Sequence, residues 1–398
     1  MSQTIGIKAR WAGALASSVL LWSGAAWATP FIPQSETQVL ERLRDRPLDS
    51  TARELRQMRT ELNQSPQNLK LAVSLAKRYI EQGRQQADPR YNGYAQAALA
   101  SWWEQPQPPT AVLVLRATLR QSRHDFDGAL VDLNQATKVS PRDPQAWVTR
   151  ALIQQAKGNY PEAKRDCVPL FRLSTRLVGV TCLSSIASLN GQAQQSYQLL
   201  ERVLADAPSA TTDEKLWART TLAEIAMRRG QSQTAEKQFK QAIALGPDSY
   251  LFGIYADFLL SQGRPQEVVT LLKDQTRVDN LLLRLTLAEQ ALKAQTLADH
   301  MAVLRDRFAA SRQRGDTVHQ REEAIYTLKL LNKPREALKL AQANWQIQRE
   351  PADTRILLES ALAAQEITAA KSALDWLAQA RTEDVALTKL RKQLGGKA

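Results

Sequence analysis

Histidine is nearly missing from this chain: three residues in 398, His124, His300 and His319. None stands at metal-ligand spacing from a cysteine or another histidine, so a metal centre is not expected. The two cysteines, Cys167 and Cys182, are too few for a disulfide-dense scaffold. Glycine and proline are also scarce, 16 and 17 residues, and they recur at regular intervals. No window shows sustained β-branched alternation, which excludes sandwiches and barrels. The apolar stretch from Trp11 to Trp22 falls short of the roughly 20 residues that cross a bilayer. Catalytic motifs are missing as well. Ser74 and Lys77 have the Ser-x-x-Lys spacing of penicillin-interacting serine enzymes, but neither companion motif accompanies them. Neither a cofactor nor enzymatic activity is expected.

What is present begins with Lys8 and Arg10 ahead of that apolar stretch, followed by the small-residue site Ala26-Trp27-Ala28. This is the pattern of a secretory signal peptide over residues 1–28, cleaved near Ala28. No cysteine follows the site and no twin arginine precedes it, so neither a lipid-modified N-terminus nor folded-state export is indicated. A periplasmic or secreted location is the expectation. The formal net charge of +13 is spread along the chain instead of clustering on one tail, which argues against nucleic acid as a partner. The excess allows weak contact with anionic envelope surfaces, or simply keeps a long molecule soluble.

A six-residue phrase then recurs: HDFDGA ending at Ala129, GNYPEA at Ala163, GQSQTA at Ala235, GRPQEV at Val268 and NKPREA at Ala337. The phrases align into helix pairs of about 34 residues. One unit reads Leu113, Ala117, His124, Ala129, Leu133, Ala136 and Pro141. The next reads Trp147, Ala151, Gly158, Ala163, Cys167 and Leu170. Small residues let two helix axes approach, large ones fill the space beside them, and glycine supplies the left-handed turn between helices. His124 occupies the slot that glycine holds in other units, and residues 282–315 lack the glycine turn.

These positions resemble the tetratricopeptide repeat family. The resemblance covers roughly residues 69–380 and implies an all-α, right-handed solenoid of stacked antiparallel helix pairs. The expected organisation is a signal peptide over 1–28, an N-terminal helical cap over 29–66, the solenoid over 67–381, and a C-terminal helix and tail over 382–398. The caps shield apolar faces that an array leaves open at its ends.

The same resemblance implies that first-helix side chains line a concave groove that holds a partner segment. On that pattern Lys77, Gln121, Gln155, Glu224, Asp257 and Tyr326 face the groove, and Trp217 and Tyr250 near the starts of first helices join them. Their charges are mixed, so a clamp for a terminal carboxylate is not transferred. Cys167 and Cys182 lie at similar heights on consecutive antiparallel helices. They either bridge one unit to the next in an oxidising compartment or fill two small core slots. Tyr79, Tyr91, Tyr94, Trp102 and Trp103 cluster around an insertion and read as extra packing in preference to an interaction hot spot.

The functional expectation is a non-enzymatic scaffold that binds an envelope protein or peptide. The alternatives are an accessory factor of an outer-membrane or polysaccharide export system and, less favoured, a cell-wall-active enzyme on a helical scaffold.

Overall fold

A computed structural model describes residues 50–86 and 88–395. The signal-peptide assignment, the first part of the N-terminal cap and the last three residues lie outside the described residues. Within them every regular element is helical. Helices α1 (Ser50–Gln64) and α2 (Leu69–Gln86) form the first antiparallel contact, through Leu55 and Leu62 on one side and Ala72, Leu75 and Ala76 on the other. The insertion follows as α3 (Arg90–Ala98) and the short α4 (Ala100–Trp103). Tyr79, Tyr91 and Tyr94 meet here with ring centroids 5.6–6.1 Å apart. Tyr79 and Trp102 are buried.

The repeated pairs come next: α5 (Thr110–Gln121) with α6 (Phe126–Val139), and α7 (Pro144–Ala156) with α8 (Tyr160–Cys167), which is extended by α9 (Leu170–Leu173). Then come α10 (Arg176–Ala187) with α11 (Ala193–Ala205), α12 (Thr212–Arg228) with α13 (Ser232–Ile243), and α14 (Ser249–Ser261) with α15 (Pro265–Leu272). The array continues through α16 (Asp279–Leu292), α17 (Leu297–Gln313), α18 (Gln320–Lys329) and α19 (Pro334–Ile347). It ends in α20 (Pro351–Ala364), a 3₁₀ turn, α21 (Lys371–Ala380) and α22 (Val385–Gln393). The described residues thus form an all-α solenoid of stacked antiparallel pairs.

Local chemistry explains where the helices start and turn. Asp125 accepts from the Gly128 amide and Asp248 from the Leu251 amide, each capping the helix that follows. Thr211 and Glu214 form a reciprocal capping box. Gly158, Gly191, Gly230 and Gly263 adopt positive φ between paired helices. Where glycine is missing, His124 (φ 57°), Lys293 (φ 53°) and Asn332 (φ 54°) adopt the same conformation. Each incurs the left-handed penalty that glycine avoids.

The small and large positions of the repeat are the core. Ala117, Ala129, Leu133 and Ala136 are buried in one unit and Ala226, Ala235, Phe239 and Ala242 in another. A polar repeat runs beside this apolar one. Arg116 on α5 forks onto Asp132 on α6, with Nε to Oδ2 at 2.9 Å and Nη2 to Oδ1 at 2.7 Å, both side chains buried. One period later Arg150 on α7 makes the same fork onto Asp166 on α8, at 2.9 and 2.5 Å. Bidentate geometry satisfies both carboxylate oxygens inside each pair.

Candidate functional site: a channel closed by the C-terminal segment

The array does not end as an open spiral. Its C-terminal segment lies against the helix turns of the middle repeats, in register. Trp376 on α21 stands over Gly158, Arg381 over Gly191 and Val385 over Gly230. A Cβ placed on Gly158 would come within 2.8 Å of the Trp376 ring, so glycine is required there for close approach as well as for its φ of 78°.

Hydrogen bonds at helix ends secure this contact. Helix α11 has no side-chain cap of its own, and the Ala193 amide in its first turn donates instead to Glu383, at 3.1 Å. The Asn190 carboxamide donates to the Ala380 carbonyl at the end of α21, at 2.7 Å, and the Arg349 amide donates to the Ala156 carbonyl at the end of α7, at 2.7 Å. These are helix-terminal groups without intrahelical partners, satisfied across up to 190 residues of sequence. Ring contacts of Trp376 with Tyr160 (5.7 Å) and Trp345 (5.4 Å) complete the closure.

Between this segment and the first helices of the middle repeats lies a cavity of about 390 Å³. Gln155, Glu224, Tyr250 and Asp257 are on its wall, together with Arg228, Arg284, Arg321, Glu350, Arg355 and Asp384. Tyr250 is 56% exposed although protein surrounds it, because its free surface is cavity wall. The Tyr250 hydroxyl donates to Glu224 at 2.9 Å. Burial raises the Glu224 carboxyl above its usual range despite Arg228 nearby, and raises the Tyr250 phenol well above its own. Arg284 donates to Asp257 at 2.7 Å and to the Gly253 carbonyl at 3.0 Å. Arg321 reaches Glu350 and Glu322 at 3.0 and 3.1 Å. Asp353 behind it is fully buried, and desolvation lifts its carboxyl to about 6.

Four of the groove assignments therefore lie on the cavity wall, and four do not. Tyr326 is corrected to the core. It is 5% exposed, its ring packs on Phe308 at 5.5 Å, and its hydroxyl donates to the Met301 carbonyl at 3.0 Å. Arg321 is the α18 residue that faces the cavity. At about 100° per residue, a side chain five positions on points to nearly the opposite side of the helix. Trp217 is half-buried against the apolar cluster around Cys167 and Cys182. Gln121 sits one period before Gln155 but ahead of the repeats that the C-terminal segment covers, and does not line the cavity. Lys77 is exposed on α2 and does not line it either.

The sulfurs of Cys167 and Cys182 are joined as a disulfide, linking the end of α8 to α10 with Cα atoms 5.7 Å apart. The closing segment was missed from the sequence. Its contacts leave no local mark beyond the unusual Trp376 in a degenerate unit.

No protein-family model matches the chain, and no curated protein does. Several solved structures are similar in fold. A tetratricopeptide repeat protein from Parabacteroides merdae is 16% identical with a TM-score of 0.40, over 64% of this chain and 91% of that one. A monomeric mutant of IFIT1 is 14% identical with a TM-score of 0.41, over 87% and 86% of the two chains. Yeast Tom70 is 11% identical with a TM-score of 0.25, over 86% and 89%.

Proposed function

We propose that this protein is a non-enzymatic binding scaffold of the bacterial envelope, exported by its leader, that holds a segment of another envelope protein in the channel between its first helices and its C-terminal segment. One observation carries the reading. Side chains from α7, α12, α14 and α20, far apart in sequence, converge on one cavity large enough for a few residues of extended chain. The wall mixes apolar surface with paired charges, a lining that suits a peptide with main-chain and side-chain polar groups. A disulfide between α8 and α10 supports an oxidising compartment.

The test is a photoreactive phenylalanine analogue in place of Tyr250, with the same analogue in place of exposed Val139 as control. Irradiated envelopes are expected to give a discrete adduct from the cavity position alone. Identical adducts from both positions, or none from Tyr250, would overturn the proposal.

A further inference from the structure

Among the described residues the cavity holds one cation that no carboxylate meets at ion-pair distance, although Glu224 is near enough to feel its charge. Arg228, the last residue of α12, is 8% exposed. Among the described residues its one hydrogen bond runs from Nη2 to the Ser188 hydroxyl, at 2.8 Å, and its Nε is buried without a partner. Glu224 lies one turn earlier at the spacing of a helical ion pair, yet no such pair forms. Glu224 turns to the Tyr250 hydroxyl while Arg228 turns to Ser188. The other cavity arginines are matched: Arg284 by Asp257, Arg321 by Glu350, and Arg355 by Glu359. A buried guanidinium with one neutral partner is costly. On the same wall the Asn280 carboxamide oxygen is also buried without a donor.

We propose that Arg228 is the anchor of a binding subsite for an acidic side chain, aspartate or glutamate, within the peptide segment that the channel holds. The guanidinium donates to the incoming carboxylate, and Asn280 accepts from a donor such as a main-chain amide of the same segment. The occupant is taken as a peptide segment because one chain would supply both the acidic side chain that Arg228 lacks and the main-chain amide that Asn280 lacks. The inference rests on the scaffold reading and adds the chemistry of its ligand.

The experiment uses the full mature chain and two amidated, acetylated pentapeptides that differ only in a central Glu or Gln, titrated calorimetrically, with N-acetylglutamate as a third titrant. The Glu peptide is expected to bind at least about tenfold more tightly than the Gln peptide, as loss of a charge-assisted hydrogen bond implies. N-Acetylglutamate is expected to bind more weakly than the Glu peptide. In Arg228→Met, which keeps the aliphatic bulk, the two peptides should bind equally while the melting temperature does not fall. Arg228→Lys should retain part of the preference. Equal binding of both peptides to the wild type, no binding of either, or a preference that survives Arg228→Met would overturn the subsite. If the Tyr250 crosslink persists in any of those cases, the scaffold reading stands without it.

Discussion

The repeats from α5 to α9 and the segment from α20 to α22 are built from the same kind of helix pair but are held in different ways. In the first region each pair is fastened to itself and its neighbour, by the buried Arg116–Asp132 fork and the half-buried Arg150–Asp166 fork, by alanine contacts and by the Cys167–Cys182 bridge. In the second, few residues match the repeat, and much of the support comes from far away in sequence: Trp376 against Gly158 and Tyr160, Glu383 on the α11 amide, Asn190 on the α21 carbonyl. Regular spacing produces a self-sufficient array. Departure from it produces a segment that depends on the array and, by docking there, turns a groove into a channel.

The strongest way to break this contrast is at the buried fork. Arg116→Met leaves Asp132 in the core with Arg120 alone, and should cost about 3 kcal/mol in urea unfolding, with the loss centred on α5 to α7. Reduction of the disulfide, whose cysteines are 15 residues apart, should cost about 3 kcal/mol by the chain-entropy argument. Thermal melts with and without reductant measure it. Two glycine variants sharpen the comparison. Gly263→Ala meets nothing within 4 Å and should show only the cost of its positive φ, about 1 kcal/mol. Gly158→Ala adds the encounter with Trp376 and should cost about 2 kcal/mol, with faster amide exchange over residues 371–393 in that variant alone.

The smallest effect is pH-dependent. Hydrogen bonds from Arg264 and Lys240 lower the Glu236 carboxyl to about 2. Its contribution is therefore complete above the unfolded carboxylate range and lost as pH falls through about 2. Solvent screening limits it to about 1 kcal/mol. Glu236→Gln should lower the neutral-pH melting temperature slightly and leave stability near pH 2 unchanged.

The array was legible because its causes are local. The recurring phrase fixed the turns, including His124 in a glycine slot, and alanines at constant offsets fixed the faces. The Arg–Asp forks are equally periodic, with both partners displaced by one repeat, but charged residues at helical spacing look the same on a solvated face as in a buried pair. Gln155, Glu224 and Asp257 follow from repeat register, and Tyr250 from its place near the start of a first helix. Tyr326 failed by the same route, because register in a degenerate unit was off and an aromatic side chain fits a core as well as a groove. The closure was not legible at all. Trp376 and Gly158 are adjacent only after the whole superhelix has turned, and no pattern within one repeat encodes that turn.

The central claim is that the C-terminal segment covers the middle repeats. Spin labels at Gln194 on α11 and at Arg381 beside Gly191, both exposed, read it directly by pulsed dipolar spectroscopy. A single narrow distribution at the short end of the measurable range is predicted, broadening and lengthening in Gly158→Ala. A long or broad distribution in the otherwise unaltered chain would contradict the closed channel.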